Sequence, residues 1–382
     1  MTAPRPIVLA AGGTGGHLFP ARALADALMR RGRAVAFATD RRGAAAGDFG
    51  SVPVHVVRAA PMSGGGLAGR VRGAFDLAVG TLEARRLLKA MDAAAVVGFG
   101  GYPSVPPVAA AVQLGLPAML HEQNAVLGRA NRLLAGRVHA IALSFAETHA
   151  LKPQAAGRVR VTGNPVRAAV AALAVTTYGT PNEVSGLRVL VMGGSLGAHI
   201  MSAVVPHALA ALPVGLRSAL HVAQQCRAED LEAVRRIYRD AGIAADLATF
   251  FTDVPARLAA AHLVIARSGA STVAELAAAG RPAVLVPYRF AADDHQTANA
   301  RALEAARAAW VMPESAFTAE ALSARVETLA NAPDLLAAAA ANARALGRPD
   351  AAEALADAVE DLVPGRNGGS GRGEAQPRKE AA

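Results

Sequence analysis

His17 closes the run Gly12-Gly13-Thr14-Gly15-Gly16-His17, which follows an apolar segment at residues 6–11. An imidazole titrates near neutrality and can take a proton from a hydroxyl. Four glycines around one threonine leave bare backbone amides that suit a phosphate or diphosphate. The plainer alternative is a tight turn with His17 as a polar cap. The run lacks the Gly-Lys-Ser/Thr ending of a triphosphate-binding loop. Leu18 takes the place of the third glycine in a dinucleotide fingerprint, although Asp40 stands where a ribose-binding acid would be. A second unit, Gly193-Gly194-Ser195-Leu196-Gly197, follows another apolar run at 189–192. Each unit reads as strand, turn and helix, so the pair implies two α/β domains facing one cleft.

Further polar clusters fall at strand ends. Gly98-Phe99-Gly100-Gly101-Tyr102-Pro103-Ser104 is a third glycine-rich turn, readable as an anion cradle or as a helix start capped by Ser104. His121-Glu122-Gln123-Asn124 places four polar residues after an apolar strand, which is costly unless they find partners. Asn124 can hydrogen-bond a sugar, and the His–Glu pair can act as base and orienter or as a satisfied structural network. Gly163-Asn164-Pro165-Val166-Arg167 puts Arg167 near a domain boundary, where a guanidinium can pair with a phosphate or simply sit on the surface. In Ser268-Gly269-Ala270-Ser271-Thr272-Val273-Ala274-Glu275, Thr272 and Glu275 read as a capping box. The functional alternative has the helix-start amides facing a diphosphate and Glu275 bridging two ribose hydroxyls. In Asp293-Asp294-His295-Gln296-Thr297, Gln296 reads as a ligand of a sugar hydroxyl. No Asp-x-Asp spacing and no paired-histidine zinc motif occurs, so no metal is expected.

These residues need two substantial cores to hold them, and 382 residues with 53% hydrophobic content suffice. Strands are expected at 6–11, 34–38, 54–57, 94–97, 118–120, 139–142 and 158–162. They restart at 187–192, 219–222, 247–250, 263–266 and 283–286, each followed by a helix. This alternation predicts doubly wound parallel sheets. The expected division is a first domain at 1–168, a linker at 169–186, a second domain at 187–345, a helix at 346–363 and a disordered tail at 364–382. Beyond residue 317 the pattern is helical. The single cysteine, Cys226, excludes an intramolecular disulfide. The uncharged stretches 98–120 and 189–216 are broken by prolines or glycines and do not read as membrane spans. No charged-then-apolar leader opens the chain. Residues 1–165 carry 19 basic against 8 acidic side chains, and the remainder 20 against 22. The excess positive charge of the first half points to an anionic ligand or surface there. With 4% aromatics and no recognised nucleic-acid motif, nucleic acid is not the expected partner.

In this order, the motifs resemble the MurG family of bacterial peptidoglycan glycosyltransferases, over about residues 6–360. That resemblance implies a GT-B fold, two Rossmann-like domains with an interdomain cleft and the sugar nucleotide held mainly by the second. It implies transfer of N-acetylglucosamine from UDP-N-acetylglucosamine to undecaprenyl-pyrophosphoryl-muramyl-pentapeptide (lipid I), forming lipid II. It further implies Ser195 and Arg167 as diphosphate contacts, Ala270, Ser271 and Thr272 as the helix start beside the phosphates, and Glu275 as the ribose ligand. Phe251 falls near the uracil position. Gln296 and Asn124 resemble the sugar contacts, with His295 a competitor for the former role, and Thr14, Gly15 and Gly16 close over the site from the first domain.

The chemistry implied is inverting transfer by a hexosyltransferase without a cofactor. His17 is the expected base, with Asp40 and Glu122 as rivals. The helix dipole at residues 271–272, the second glycine loop and Arg167 would stabilise the departing UDP. The lipid tail calls for a peripheral position on the cytoplasmic face of the inner membrane, beside cell-wall synthesis and division proteins. The stretch 67–89, with Leu67, Val71, Phe75, Leu77 and Val79 beside Arg70, Arg72, Arg85 and Arg86, would contact anionic lipid or pack as an ordinary helix. Another GT-B enzyme (an epimerase or glycolipid synthase), a non-catalytic sugar-nucleotide module and, less well, a nicotinamide dehydrogenase are the alternatives.

Overall fold

The computed structural model of the chain describes residues 4–13, 15–47, 49–60, 66–182, 184–194 and 197–363. Thr14, Ser195 and the tail at 364–382 lie outside the described residues. Seven strands, β1 (Ile7–Ala10), β2 (Val35–Thr39), β3 (Val54–Val56), β4 (Ala95–Gly98), β5 (Ala118–Glu122), β6 (Ala140–Leu143) and β7 (Val159–Val161), form one parallel sheet in the order 3-2-1-4-5-6-7. A second parallel sheet contains β8 (Leu187–Met192), β9 (Leu220–Gln225), β10 (Ala244–Ala248), β11 (Leu263–Ala266), β12 (Ala283–Leu285) and β13 (Ala309–Val311), in the order 10-9-8-11-12-13.

Because helices cover both faces, the central strands are largely apolar, Arg188 in β8 and His121 and Glu122 in β5 being exceptions, and period two mainly sorts them between layers. Ile7 and Leu9 pack with Leu24, Leu28, Leu355 and Val359, whereas Val8 and Ala10 face Leu88, Val96 and Val108 on the other side. In the second sheet Val189 and Val191 share a core with Val205 and Leu209, and Leu190 turns to Val264 and Leu276. In each sheet the first strand is central and hands over to a helix at its carboxyl end, with the order reversing beside it. That switch point is where ligands gather in open parallel sheets.

Three expectations about the elements are corrected. The strand expected at 247–250 is Ala244–Ala248; it is an exposed edge strand, and its Ala-Ala-Asp-Leu-Ala sequence offers no apolar run to read. The short edge strand Ala309–Val311 lies where no strand was expected. The polar cluster at 121–124 was expected after its strand, but His121 and Glu122 belong to β5 and are buried. Between the sheets, a short helix (Ala168–Ala171) continues into a 3-10 turn (Ala172–Val175), and Arg344 donates to the carbonyls of Ala174 and Thr176.

The chain then returns. The helix Ala351–Glu360 lies against the first helix, Gly15–Arg30, with Leu355 and Val359 fully buried in the first domain's core. Arg31 pairs with Glu353, Asp357 and Glu360 along its edge, and Arg33 adds a second contact to Glu360.

Candidate active site

His17 stands in the first turn of the helix Gly15–Arg30, immediately after β1. Its ring lies on glycine backbone. A Cβ at Gly12 would come within 3.2 Å of the ring's Cδ2, and one at Gly100, where φ is +87°, within 3.3 Å of Cε1. Any side chain there would displace the imidazole. The Gly12 amide donates to the Gly100 carbonyl at 3.1 Å. The two glycine-rich turns of the first domain therefore close on each other, and this amide is not left for an anion. Ser104 directs its hydroxyl to the Gly101 carbonyl and does not cap the helix that follows.

His17 Nδ1 lies 3.1 Å from Gln123 Oε1. Burial holds the imidazole below its ordinary value of 6.5, opposed by the Gln123 bond, the Glu122 charge and the Phe99 carbonyl. It is therefore neutral, and basic, at pH 7. The rival bases are committed elsewhere. Glu122 Oε1 accepts from the Asn124 amide and Nδ2, both at 3.1 Å, while Oε2 accepts from the Gly128 amide at 2.7 Å and Asn131 Nδ2 at 2.8 Å. Asp40 caps the helix Arg41–Ala46 by accepting from the Gly43 amide at 2.8 Å.

A cavity of about 660 Å³ opens between the two halves beside this corner. Gly15, Gly16 and Phe19 line it from the first domain. Gly193, Gly194 and the start of the helix Ala270–Ala279 line it from the second, and Arg167 lies between. Thr272 and Glu275 do not form the expected capping box. The helix begins at Ala270 with Gly269 as its N-cap, so Glu275 is too deep in the helix to reach back. Its carboxylate instead takes the Arg167 guanidinium as a two-pronged fork, Nε to Oε1 and Nη2 to Oε2, both 2.8 Å. The Phe19 ring lies 5.9 Å from the same guanidinium. By helix geometry, the first amides at 270–272 have no intrahelical acceptor. Ser271 Oγ beside them is buried without a hydrogen-bond partner among the described residues.

At the far wall, Gln296 Oε1 accepts from the Tyr288 amide at 3.0 Å, and Gln296 lines the cavity. His295, its competitor, engages the Ala292 carbonyl at 2.7 Å. Asn124 does not line the cavity: its Oδ1 accepts from Asn299 Nδ2 at 3.1 Å across the two domains. Phe251 is buried under the Arg257 guanidinium (3.8 Å) and meets the cavity only at its edge, whereas Phe250 is exposed there. The sequence reading gave no role to Arg267, Glu314, Phe19 or His199. Arg267 pairs with Glu314 at 2.6 Å, nearly buried on the cavity wall. Its signal was available, since Arg267 directly precedes the Ser268-Gly269 turn. Glu314 follows a three-residue strand with no visible pattern.

Two helix starts, a glycine turn and an arginine–carboxylate fork meet between two doubly wound sheets, the GT-B architecture. The glycosyltransferase family 28 N-terminal domain matches residues 7–143 and the family 28 C-terminal domain residues 188–355, so the chain belongs to glycosyltransferase family 28. Within it, the chain groups with the MurG transferases. It is 53% identical over 370 residues to the UDP-N-acetylglucosamine–N-acetylmuramyl-(pentapeptide) pyrophosphoryl-undecaprenol N-acetylglucosamine transferase of Paramagnetospirillum magneticum, covering 96% of this chain and 100% of that one. It is 55% identical over 373 residues to the enzyme of the same name from Rhodospirillum centenum, covering 97% of each. The crystal structure of Acinetobacter baumannii MurG matches with a TM-score of 0.77 at 31% identity, covering 94% of this chain and 100% of that chain.

Proposed function

We propose that this chain moves N-acetylglucosamine from UDP-N-acetylglucosamine to the muramyl 4-hydroxyl of lipid I, forming lipid II with inversion at the sugar carbon. The observation that carries the reading is the single cavity whose wall joins Gly15 and Gly16, adjoining His17, to the helix start at 270–272. His17 itself is not part of that wall; the base corner borders, through Gly16, the space that the anion corner faces.

His17 takes the proton of the attacking hydroxyl. The departing UDP meets the helix-start amides, Ser271 Oγ, the turn at Gly193–Gly194 and Arg167, which together supply positive field where negative charge develops. Ser195, the next residue in the sequence after Gly194, is assigned to the diphosphate as well. Glu275 turns from Arg167 to the ribose hydroxyls when the diphosphate claims the guanidinium. Gln296 reads the sugar hydroxyls, Phe250 and Phe251 border the base, and Asn124 acts from behind, through Asn299. Gly15 and Gly16 are assigned to the acceptor's pyrophosphate, and Thr14, by its place in the sequence, with them.

We assign the membrane contact to the helix Gly66–Ala90, and with it a peripheral position on the cytoplasmic face of the inner membrane. Val71, Phe75 and Leu82 are exposed on it, with Arg72, Arg85, Arg86 and Lys89 also exposed. Leu77 packs inward instead. No helix among the described residues is long and apolar enough to cross a membrane.

Labelled sugar transfer from UDP-N-acetylglucosamine to a short-chain lipid I analogue, run with and without chelator, tests the reading. Chelator-insensitive transfer is expected. Free N-acetylmannosamine would make the protein an epimerase, tight UDP binding without turnover a binding module, and a chelator-sensitive rate would overturn the assignment of the positive field to the protein alone.

A further inference from the structure

Behind His17 runs a chain of hydrogen bonds whose direction can be worked out from one end. The Gly163 carbonyl can only accept, and it lies 3.0 Å from His121 Nε2, so that nitrogen carries a proton. Burial pushes the His121 imidazole down to about 4, so at pH 7 it is neutral and its Nδ1 is bare. Gln123 Nε2 lies 2.9 Å from this Nδ1 and 3.2 Å from the His121 carbonyl. Both are acceptors, so the amide must present its NH2 end to them; turned over, its oxygen would face two lone pairs in a buried site. Gln123 Oε1 therefore points at His17 Nδ1, and that nitrogen must donate. His121 is held in turn by the Phe99 ring, with centroids 5.3 Å apart, and Asn131 Nδ2 bonds its carbonyl at 3.2 Å.

We propose that Gln123, backed by His121, is a positioning residue that fixes the His17 proton on Nδ1 and so presents Nε2 as the bare nitrogen at the reaction space. The proposal rests on the assignment of His17 as the base. As the muramyl oxygen bonds to the sugar carbon, its proton passes to Nε2, and the bond from that carbon to the phosphate oxygen breaks with its electron pair leaving on UDP. The imidazolium that forms keeps Nδ1–H on a neutral amide oxygen. In the usual arrangement a carboxylate holds that proton. An amide imposes the same tautomer while favouring the imidazolium less than a carboxylate would, so burial still keeps His17 neutral at physiological pH. The ionisable groups acting on it are Glu122, which favours the charged form, and His295, which opposes it, alongside His121.

The test is nitrogen-15 spectroscopy of the histidine-labelled full chain, with His17 assigned by a His17→Gln variant, together with kinetics of two Gln123 variants. In the wild type at pH 7.5, Nδ1 should be protonated and Nε2 bare. Gln123→Leu should release the tautomer and lower kcat by about 10²-fold, the lower range for general base catalysis, with donor KM changed less than about threefold. Gln123→Glu should keep Nδ1–H and move the acid limb of kcat to higher pH, because a carboxylate favours the imidazolium, while losing the donor that faces His121. A merely structural glutamine would leave the His17 tautomer unchanged in Gln123→Leu. A wild-type proton on Nε2, drawn to the neighbouring Phe99 carbonyl, overturns the proposal. So does a Gln123→Leu variant that keeps its kcat while His17→Ala loses it. A His17→Ala variant with full kcat overturns the base assignment and the proposal with it.

Discussion

Replacing Glu275 with alanine should change two affinities in opposite directions. In the ligand-free structure its carboxylate neutralises Arg167 through two bonds of 2.8 Å, with side-chain exposures of 34% for the arginine and 11% for the glutamate. Such a half-exposed fork contributes about 1 kcal/mol net, between the range for surface pairs and that for charge-assisted bonds. Removing Glu275 frees Arg167 for a phosphate, so inorganic pyrophosphate should bind about fivefold tighter, as ~1 kcal/mol converts. The same change deletes the acceptor proposed for the ribose hydroxyls. Hydrogen bonds to a charged group contribute about 1.5–3 kcal/mol, so uridine and UDP should bind roughly 10- to 100-fold more weakly. Titration calorimetry with pyrophosphate, uridine and UDP on wild type and variant reads both. Weaker pyrophosphate binding would mean that the fork preorganises Arg167 instead of competing for it. Unchanged uridine binding would remove Glu275 from the ribose site.

Other outcomes are open to measurement. His17→Ala should lower kcat by about 10²- to 10⁴-fold while sparing donor affinity, and a loss confined to donor affinity would refute the base role. The folded-state value of His17 lies below 6.5, so its neutral form survives below that pH and the wild-type acid limb of kcat should have its midpoint under 6.5. A midpoint above 6.5 contradicts the burial argument. Phe75→Ser with Leu82→Ser should reduce sedimentation with anionic vesicles and leave turnover of a water-soluble acceptor analogue intact; undiminished sedimentation would place the membrane contact elsewhere. Leu355→Ala, at a fully buried position, should cost about 2–5 kcal/mol in a denaturant melt. Glu353, held below 4.5 by Arg30 and Arg31, and Glu360, held below it by Arg33 and Arg31, stabilise the docked C-terminal helix above their unfolded values. That contribution is lost as pH falls through the folded values, so hydrogen exchange in Ala351–Glu360 should quicken below about pH 4.5.

Much of this was readable from residue order, for a physical reason. Central parallel strands are buried on both faces, so most are apolar runs that end abruptly in glycine or polar residues, and the candidate site residues fall at those endings. Edge strands carry no such mark. Ala244–Ala248 and Ala309–Val311 are held by one neighbour each, and their sequences do not announce it. Side-chain commitment was equally invisible. Nothing in the residue order shows that Glu122 accepts from four donors or that Asp40 caps a helix. A local pattern also competed with a distant partner. Thr272 and Glu275 have capping-box spacing, but the guanidinium that claims Glu275 comes from 108 residues away. Asn124 was read as facing a ligand, yet Asn299 of the other domain takes its oxygen.

The polypeptide passes from one half to the other near residue 165 and comes back near residue 348. At the first passage Gly163 adopts φ +83°, and a Cβ there would lie 2.8 Å from Arg348 Cδ and 3.1 Å from the Ala351 methyl. The two passages therefore touch, like the knuckles of one door hinge. Two crossings in contact favour a swing of the halves about that line over a swivel across it, which would press one passage on the other. Gly163 is also where the His121 ring is tethered, so the hydrogen-bond chain behind His17 is anchored at the line where the two passages meet.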